Sequence, residues 1–192
     1  MAVLIEEQID SGNFEIVRNQ IGIILAEEIY NQLDISGNDM HLGIFLERTI
    51  PIDNSEEAVI NISVANVDYQ DHNLVSMQGS YNFFIDVYAV QIDSPYKVQT
   101  LLNYIRYILS NQRYRTLDFA PGFIGGTYVN SFEIETKLLS QDSDFTRTSR
   151  LMFNVRIMES ENMNIGEEFY LNETNYKICE SELGYKVILK NE

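Results

Sequence analysis

Apolar residues recur at helical spacing in two segments of the chain. In residues 14–33, seven apolar side chains fall on one stripe, and the turn residues of 34–39 end the pattern. The second segment follows Ser94, the expected N-cap, and Pro95, the expected first helical position. Both patterns predict amphipathic helices that pack one face on a core.

Other segments alternate or are rich in β-branched residues, and this pattern predicts strands at 42–50, 58–67, 81–90, 131–139 and 150–158. The polar stretch 68–80 is expected to be a loop or the tip of a long hairpin. The strand at 81–90 is apolar on one face and only partly polar on the other, so both of its faces are expected to be covered. The last two strands are expected to form an antiparallel hairpin through 140–149.

The order of elements predicts the fold class. Strands outnumber helices and do not alternate with them, which disfavours a doubly wound parallel sheet. We therefore expect an α+β fold: an antiparallel sheet with two helices packed on one face, plus a small β-rich C-terminal extension. The expected division is a domain at 1–158 and a β-hairpin extension at 159–192, whose short strands form a small added sheet.

Charge is distributed unevenly along the 192 residues, whose formal net charge is −16. Residues 1–93 hold sixteen acids and two bases, whereas residues 94–158 hold five acids and eight bases. This acidity disfavours a protein that grips nucleic acid. Two interpretations stay open: the charge serves solubility alone, or an acidic front half docks on the basic middle of an identical subunit.

Candidate chemistry is sparse. The strand-to-helix junction at 86–97 lacks the glycines of a phosphate-binding turn, and Lys97 is expected to be a solvated residue of the first helical turn. The glycine-rich stretch 121–126 matches neither a P-loop nor a dinucleotide fingerprint. His41 and His72 lie in separate polar segments, and Cys179 is the single cysteine. No catalytic, cofactor or metal site is predicted, so the chain is not expected to be an enzyme.

The N-terminal sequence and the apolar runs bear on location. No basic start precedes a long apolar run, and no run approaches the length of a membrane span, so neither a signal peptide nor membrane association is expected.

The middle of the chain resembles a known family of virion proteins. The segment YNFFIDVYAVQIDSPYKVQTLLNYIRYIL (81–109), with the later strands FEIETKLL and LMFNVRIM, resembles the tail terminator (tail completion) proteins of tailed bacteriophages and related head–tail joining proteins. The resemblance covers residues 13–158 and is one of pattern and architecture. The tail at 159–192 departs from the compact family pattern.

The resemblance implies a structural virion protein, assembled in the host cytoplasm and located at the neck of the virion. Such subunits form a ring, commonly hexameric, at the head-proximal end of the tail. The ring stops polymerisation of the tail tube and joins it to neck and connector proteins. DNA would pass through without specific binding, and neither a cofactor nor catalysis is implied.

Partner contacts are expected on loops. The leading candidate is the 140–150 loop, with Asp142, Asp144, Phe145, Arg147 and Arg150, although a merely solvated loop fits as well. Replacement of both arginines by Glu is expected to abolish assembly without unfolding the subunit.

Two aromatic residues of a Gly/Pro-rich segment, Phe119 and Phe123, are either part of the core or a further contact.

Two other functions remain open from the sequence. One is another neck, head-completion or baseplate adaptor subunit that shares the α+β plan. The other is a soluble enzyme or ligand-binding domain with a pocket between the second helix and the sheet. Large flat interfaces would favour assembly, and a concave pocket would favour ligand binding.

Overall fold

The structure is a computed structural model of the full chain. The structure describes residues 13–37, 39–50, 53, 55–73, 76–91, 93–114, 117–118, 128–131, 137–140, 146–160, 176–181 and 184–189.

In the described ranges of the chain, two α-helices form where the helical spacing predicts them. Helix α1 spans Asn13–Ser36 and helix α2 spans Ser94–Leu109, followed by a short 3-10 turn at Gln112–Tyr114. The predicted stripe of α1 is buried or packed against the core. Residue Asp93 occupies the N-cap of α2, one position before the predicted Ser94, and makes no side-chain capping bond. Most residues from 16 to 25 of α1 are buried, Asn19 and Gln20 are half-buried, and the first exposed side chain that the structure describes in this helix is Glu27.

In the residues that the structure describes, eight strands form one mixed sheet. They are β1 (Leu42–Leu46), β2 (Ala58–Asn73), β3 (Ser76–Val90), β4 (Tyr128–Ser131), β5 (Lys137–Ser140), β6 (Thr146–Ser160), β7 (Tyr176–Ser181) and β8 (Gly184–Leu189). The order across the sheet is β4-β6-β3-β2-β1-β8-β7, and β5 also pairs with β6. All of these pairs are antiparallel except β1 with β2. The sequence predicted an antiparallel sheet, and the observed sheet is mostly antiparallel with one parallel pair.

Both helices pack on one face of this sheet, which confirms the predicted α+β class. Helix α1 contacts β1 and β2, α2 contacts β3 and β6, and the helices contact each other. Their apolar stripes meet the inward side chains of the central strands, which are Ala58, Ile60, Ile62, Tyr81, Phe83, Ile85, Val87, Ala89, Leu151, Phe153 and Val155. Because side chains alternate along a strand, this single register buries one continuous apolar surface.

A polar link sets the parallel pairing of β1 with β2. Glu47, which ends β1, has a positive φ of 52°, and its carboxylate accepts the Val64 N–H at 2.8 Å and an Arg18 hydrogen bond at 3.3 Å. The next residue, Arg48, donates its own N–H to the Asn61 side chain at 2.9 Å and pairs with Glu56 at 2.6 Å. These bonds turn the chain away from β1 and return it to the start of β2.

The β2–β3 hairpin runs well past the core. Among the side chains that the structure describes in this hairpin, the last in the core are Val67 and Tyr81, and backbone pairing continues to Asn73 and Ser76. The stretch beyond Val67 therefore adds roughly 20 Å of paired strand. Residues 68–80 were expected to be a loop or a hairpin tip, and the hairpin is what forms. We name this extension the β2–β3 arm.

The C-terminal extension is β-rich, as predicted. Strands β7 and β8 form an antiparallel hairpin, and β8 pairs with β1 through Phe45 and Leu46. The hairpin thus continues the main sheet at the β1 edge, which corrects the expectation that it forms a small added sheet.

Gly43 leaves room for an aromatic ring on the face of the sheet opposite the helices. A Cβ at Gly43 would lie 2.7 Å from Phe45 Cε2, and the Phe45 ring is buried beneath the Arg48 guanidinium, 4.5 Å from the ring centroid. The Phe45 ring can move away from an added Cβ only if the Arg48 guanidinium above it moves as well.

We therefore expect Gly43→Ala to lower the free energy of unfolding by about 1–3 kcal/mol, through overpacking. Chemical denaturation measures the loss. The matched control is the same substitution in a Phe45→Leu background, where the smaller side chain should reduce the added cost. An equal cost in both backgrounds would show that the ring is not the obstacle.

Candidate assembly surface

The structure places two of the predicted contact residues in a strand. Strand β6 begins at Thr146, so Arg147 and Arg150 belong to the sheet and not to a loop, which corrects the predicted loop of 140–150. Residues Asp142, Asp144 and Phe145 lie outside the described residues, as do Phe119 and Phe123. Their role in partner contacts stays a prediction.

Arg150 forms a cross-strand ion pair on the sheet face opposite the helices. Its Nε and Nη2 donate to the two carboxylate oxygens of Asp86 at 2.6 and 2.8 Å, in the register that pairs these residues. The guanidinium also lies 4.1 Å from the Phe84 ring centroid. The hydrogen bond with Asp86 holds the pKa of Arg150 above its ordinary value. Because Asp86 is buried, Arg150 compensates a charge inside the fold.

Arg147 has a different environment. It pairs in register with Ala89 on the helix side of the sheet, and its Nη1 donates to the Thr146 carbonyl at 3.3 Å. Residues three apart on a strand point to opposite faces, so the structure does not bring Arg147 and Arg150 together. A partner surface that uses both arginines at once is therefore not formed by β6 alone.

The strand-to-helix junction holds a buried cation that sequence reasoning missed. Lys97 is only 5% exposed, and the expectation that it is solvated was wrong. Its Nζ contacts Glu57 Oε1 at 2.6 Å, Asp93 Oδ1 at 3.1 Å and Gln91 Oε1 at 3.1 Å. The Glu57 carboxylate also accepts the His41 N–H at 3.0 Å. Lys97 thus links α2 to the start of β2 and to the junction itself.

The geometry of this junction explains why Lys97 is directed inward. Gln91 adopts a φ of 87°, a region that a residue with a side chain seldom occupies, and the Ser94 N–H donates to its carbonyl at 3.0 Å. The resulting turn starts α2 with Lys97 on its buried side. Burial alone would lower the pKa of Lys97, but the hydrogen bonds with Glu57 and Asp93 raise it overall. The hydrogen bond from Lys97 in turn lowers the pKa of Glu57.

One signal for this cluster is present in the sequence. Asp93 and Lys97 are four residues apart, the spacing of a helical ion pair. Glu57 has no such signal, because it lies far away along the chain. Lys97 bonds to Glu57, Asp93 and Gln91, and Glu57 also accepts the His41 N–H. All four partners lie within the chain, and we name this cluster the Lys97 clasp.

Large apolar side chains at the surface are better candidates for partner contacts than the buried Lys97 clasp. Within the described part of the chain, the exposed ones are Tyr30, Ile35, Ile50, Tyr69, Tyr96 and Tyr107. Four of these six belong to α1 and α2. Aromatic residues are enriched at protein interfaces, so the outward faces of the helices are the candidate assembly surface.

No protein-family model matches the chain, and no curated protein matches it significantly. Among the described residues, no group of three or more His, Cys, Asp or Glu side chains is placed to hold a metal ion. No helix in the described ranges is both long enough and apolar enough to cross a membrane.

The Lys97 clasp predicts a specific loss of stability. Lys97→Met should lower the free energy of unfolding by about 2 kcal/mol, because it leaves Glu57 and Asp93 facing each other without a cation, though both remain partly hydrated. Arg106→Met, on the exposed face of the same helix, is the control and should cost less than about 0.5 kcal/mol. Equal losses would argue against the clasp.

Wild type and Lys97→Met also test how the stabilisation by Lys97 depends on pH. The pKa of Glu57 is lowered in the folded chain, so its contribution is present above the unfolded pKa and is lost as the pH falls through the folded pKa. The pKa of Lys97 is raised, so its contribution is lost only as the pH rises through the folded pKa. The advantage of wild type over Lys97→Met should therefore be largest around neutral pH and shrink on acidification.

The Asp86 pair changes the expected effect of substitution at Arg150. Arg150→Ala should lower the free energy of unfolding by about 2–3 kcal/mol, since it leaves a buried carboxylate without its charged partner. Arg147→Ala, the control on the same strand, should cost less than about 1 kcal/mol. Denaturant titration of both variants measures the difference. The combined replacement by Glu is consequently expected to unfold the subunit, so it does not separate assembly from folding.

Proposed function

We propose that the chain is a structural virion protein of a tailed bacteriophage. It forms a ring at the head-proximal end of the tail, ends polymerisation of the tail tube and joins the tail to the neck. The observation that carries the proposal is the fold: a mostly antiparallel sheet with α1 and α2 side by side on one face. This is the plan that the resemblance of residues 81–109 and the later strands implies.

Two further features suit such a role. The β2–β3 arm extends roughly 20 Å of paired strand beyond the core, and an extended arm reaches from one subunit to a neighbour or to the tube. The net charge of −16 suits a ring through which DNA passes, because an acidic surface does not hold phosphates.

Deletion of the gene in the phage that encodes the chain tests the proposal. A tube without a terminator has nothing to stop its growth, so electron micrographs of lysates should show tubes of unregulated length that are not attached to filled heads. Expression of the wild-type chain from a plasmid should restore normal particles. Gold-labelled antibodies against the chain should decorate the head-proximal end of the tail.

The alternatives give different images. A neck or head-completion subunit predicts tails of normal length that fail to join heads. A baseplate adaptor predicts label at the opposite end of the tail. A soluble enzyme or ligand-binding domain predicts intact, unlabelled particles, and that result would reject a virion role.

A further inference from the structure

The outward face of α1 carries an acidic patch. Glu27, Tyr30 and Asp34 fall three and four residues apart, so they form one stripe along the C-terminal half of the helix. Tyr30 is 57% exposed, and both acids are exposed. The one cation of α1, Arg18, is buried and bonded to Glu47. Every exposed charge on this helix is therefore negative.

The outward face of α2 carries a basic patch. Tyr96, Asn103, Arg106 and Tyr107 form one stripe opposite the buried side of the helix. Tyr96 is 66% exposed and Tyr107 is 63% exposed. Helix α2 contains no acid, and its other cation, Lys97, is buried in the clasp. Arg106 is thus the exposed charge of this helix, within a chain of net charge −16.

The two patches cannot meet within one chain. Glu28 of α1 contacts Arg113 at 3.4 Å and also accepts the Tyr114 hydroxyl, so this side of α1 faces the segment that follows α2. Tyr30 is two residues further on and therefore lies about 200° around the helix, on the side away from α2. The acidic patch is directed away from the element that carries the basic patch.

We propose that the acidic patch of one subunit docks on the basic patch of a second copy of the same chain. Each patch presents tyrosine beside a charged residue, a composition typical of interface hot spots. The charges of the two patches are opposite, so the surfaces are electrostatically complementary. Two acidic patches or two basic patches would repel each other, so the contact is head to tail. Repeated head-to-tail contacts close into a ring when the rotation between subunits allows it.

The proposal deepens the proposed function, because a ring of identical subunits needs one such contact between neighbours. It assigns that contact to the helix layer. The sheet edges and the β2–β3 arm then remain for the tube and neck. It also assigns definite surfaces to one interpretation of the sequence, in which the acidic front half of one subunit docks on the basic middle of another.

Charge reversal of each patch in the full chain is the test. One variant carries Glu27→Lys and Asp34→Lys, and the other carries Asn103→Glu and Arg106→Glu. Each variant alone juxtaposes like charges and should raise the concentration for half-assembly by at least about tenfold, as measured by native mass spectrometry and sedimentation. Tyr96→Ala with Tyr107→Ala should have an effect in the same direction.

An equimolar mixture of the two charge-reversed variants gives the decisive measurement. The reversed α1 of one variant is complementary to the reversed α2 of the other, and their unmodified patches are complementary as well. Assembly should therefore return, with an even number of subunits and a 1:1 composition. The single chain that carries all four substitutions should also assemble by itself.

The controls separate the contact from general effects of charge and folding. Asp39→Lys changes the net charge by the same amount as Asp34→Lys, is exposed and lies five residues further along, outside the patch. It should assemble as wild type does. Circular dichroism melts show whether each variant is folded, and the recovery in the mixture is possible only if both variants fold.

The outcomes are distinct from those for the proposed function. A wild-type chain that stays monomeric at every concentration, variants that assemble normally, or a mixture that stays dissociated would each overturn the contact. Plasmid expression of the variants in the gene-deleted phage tests function separately. Normal tails with the variants would reject the contact and keep the terminator role, whereas normal tails without any chain would reject the role.

Discussion

The register of β3 is the constraint on which the rest of the fold depends. This strand pairs along its whole length with β2 on one side and β6 on the other. A slip of one residue would exchange its two faces. The apolar face would leave the helices, the Asp86–Arg150 pair would break, and the 2.7 Å hydrogen bond that Asn154 Nδ2 donates to Asn82 Oδ1 would be lost. The same strand feeds directly into the Gln91 turn, so its register also fixes where α2 begins.

Local pattern was sufficient to predict both helices, the central strands and the α+β class, because each of these elements shows its burial in its own sequence. Features that depend on distant residues were not predictable. Lys97 looks like any lysine in a first helical turn until Glu57 is brought to it. Residues 68–80 look like a loop because they are polar. Residues 68–73 form a strand by pairing with β3, and residues 76–80 pair with both β2 and β6. The parallel pairing of β1 with β2 is accompanied by long-range bonds of Glu47 and Arg48 and has no periodic signal. Arg150 was predicted both as the first residue of a strand and as the end of the contact loop, because the polar residues 146–149 before it show no sign that the strand begins at Thr146.

The cations of this acidic chain divide by environment in a way that net charge does not reveal. Arg18, Lys97 and Arg150 are each tied to an acid from another element. These pairs connect helix to sheet and strand to strand. Arg106 instead lies on an exposed, acid-free helix. The basic middle of the sequence therefore contains two kinds of positive charge: one holds the subunit together, and the other is available to a neighbour.

The separation in sequence between β3 and β6 also shapes how the chain folds during synthesis. Arg150 follows its partner Asp86 by 64 residues. At ribosomal rates this interval corresponds to roughly 3 to 13 s, during which one edge of β3 has no strand beside it. An open edge on a long apolar strand is prone to intermolecular pairing. Helix α2 is made within this interval and packs on β3, so the nascent chain can cover the apolar face before the missing strand emerges.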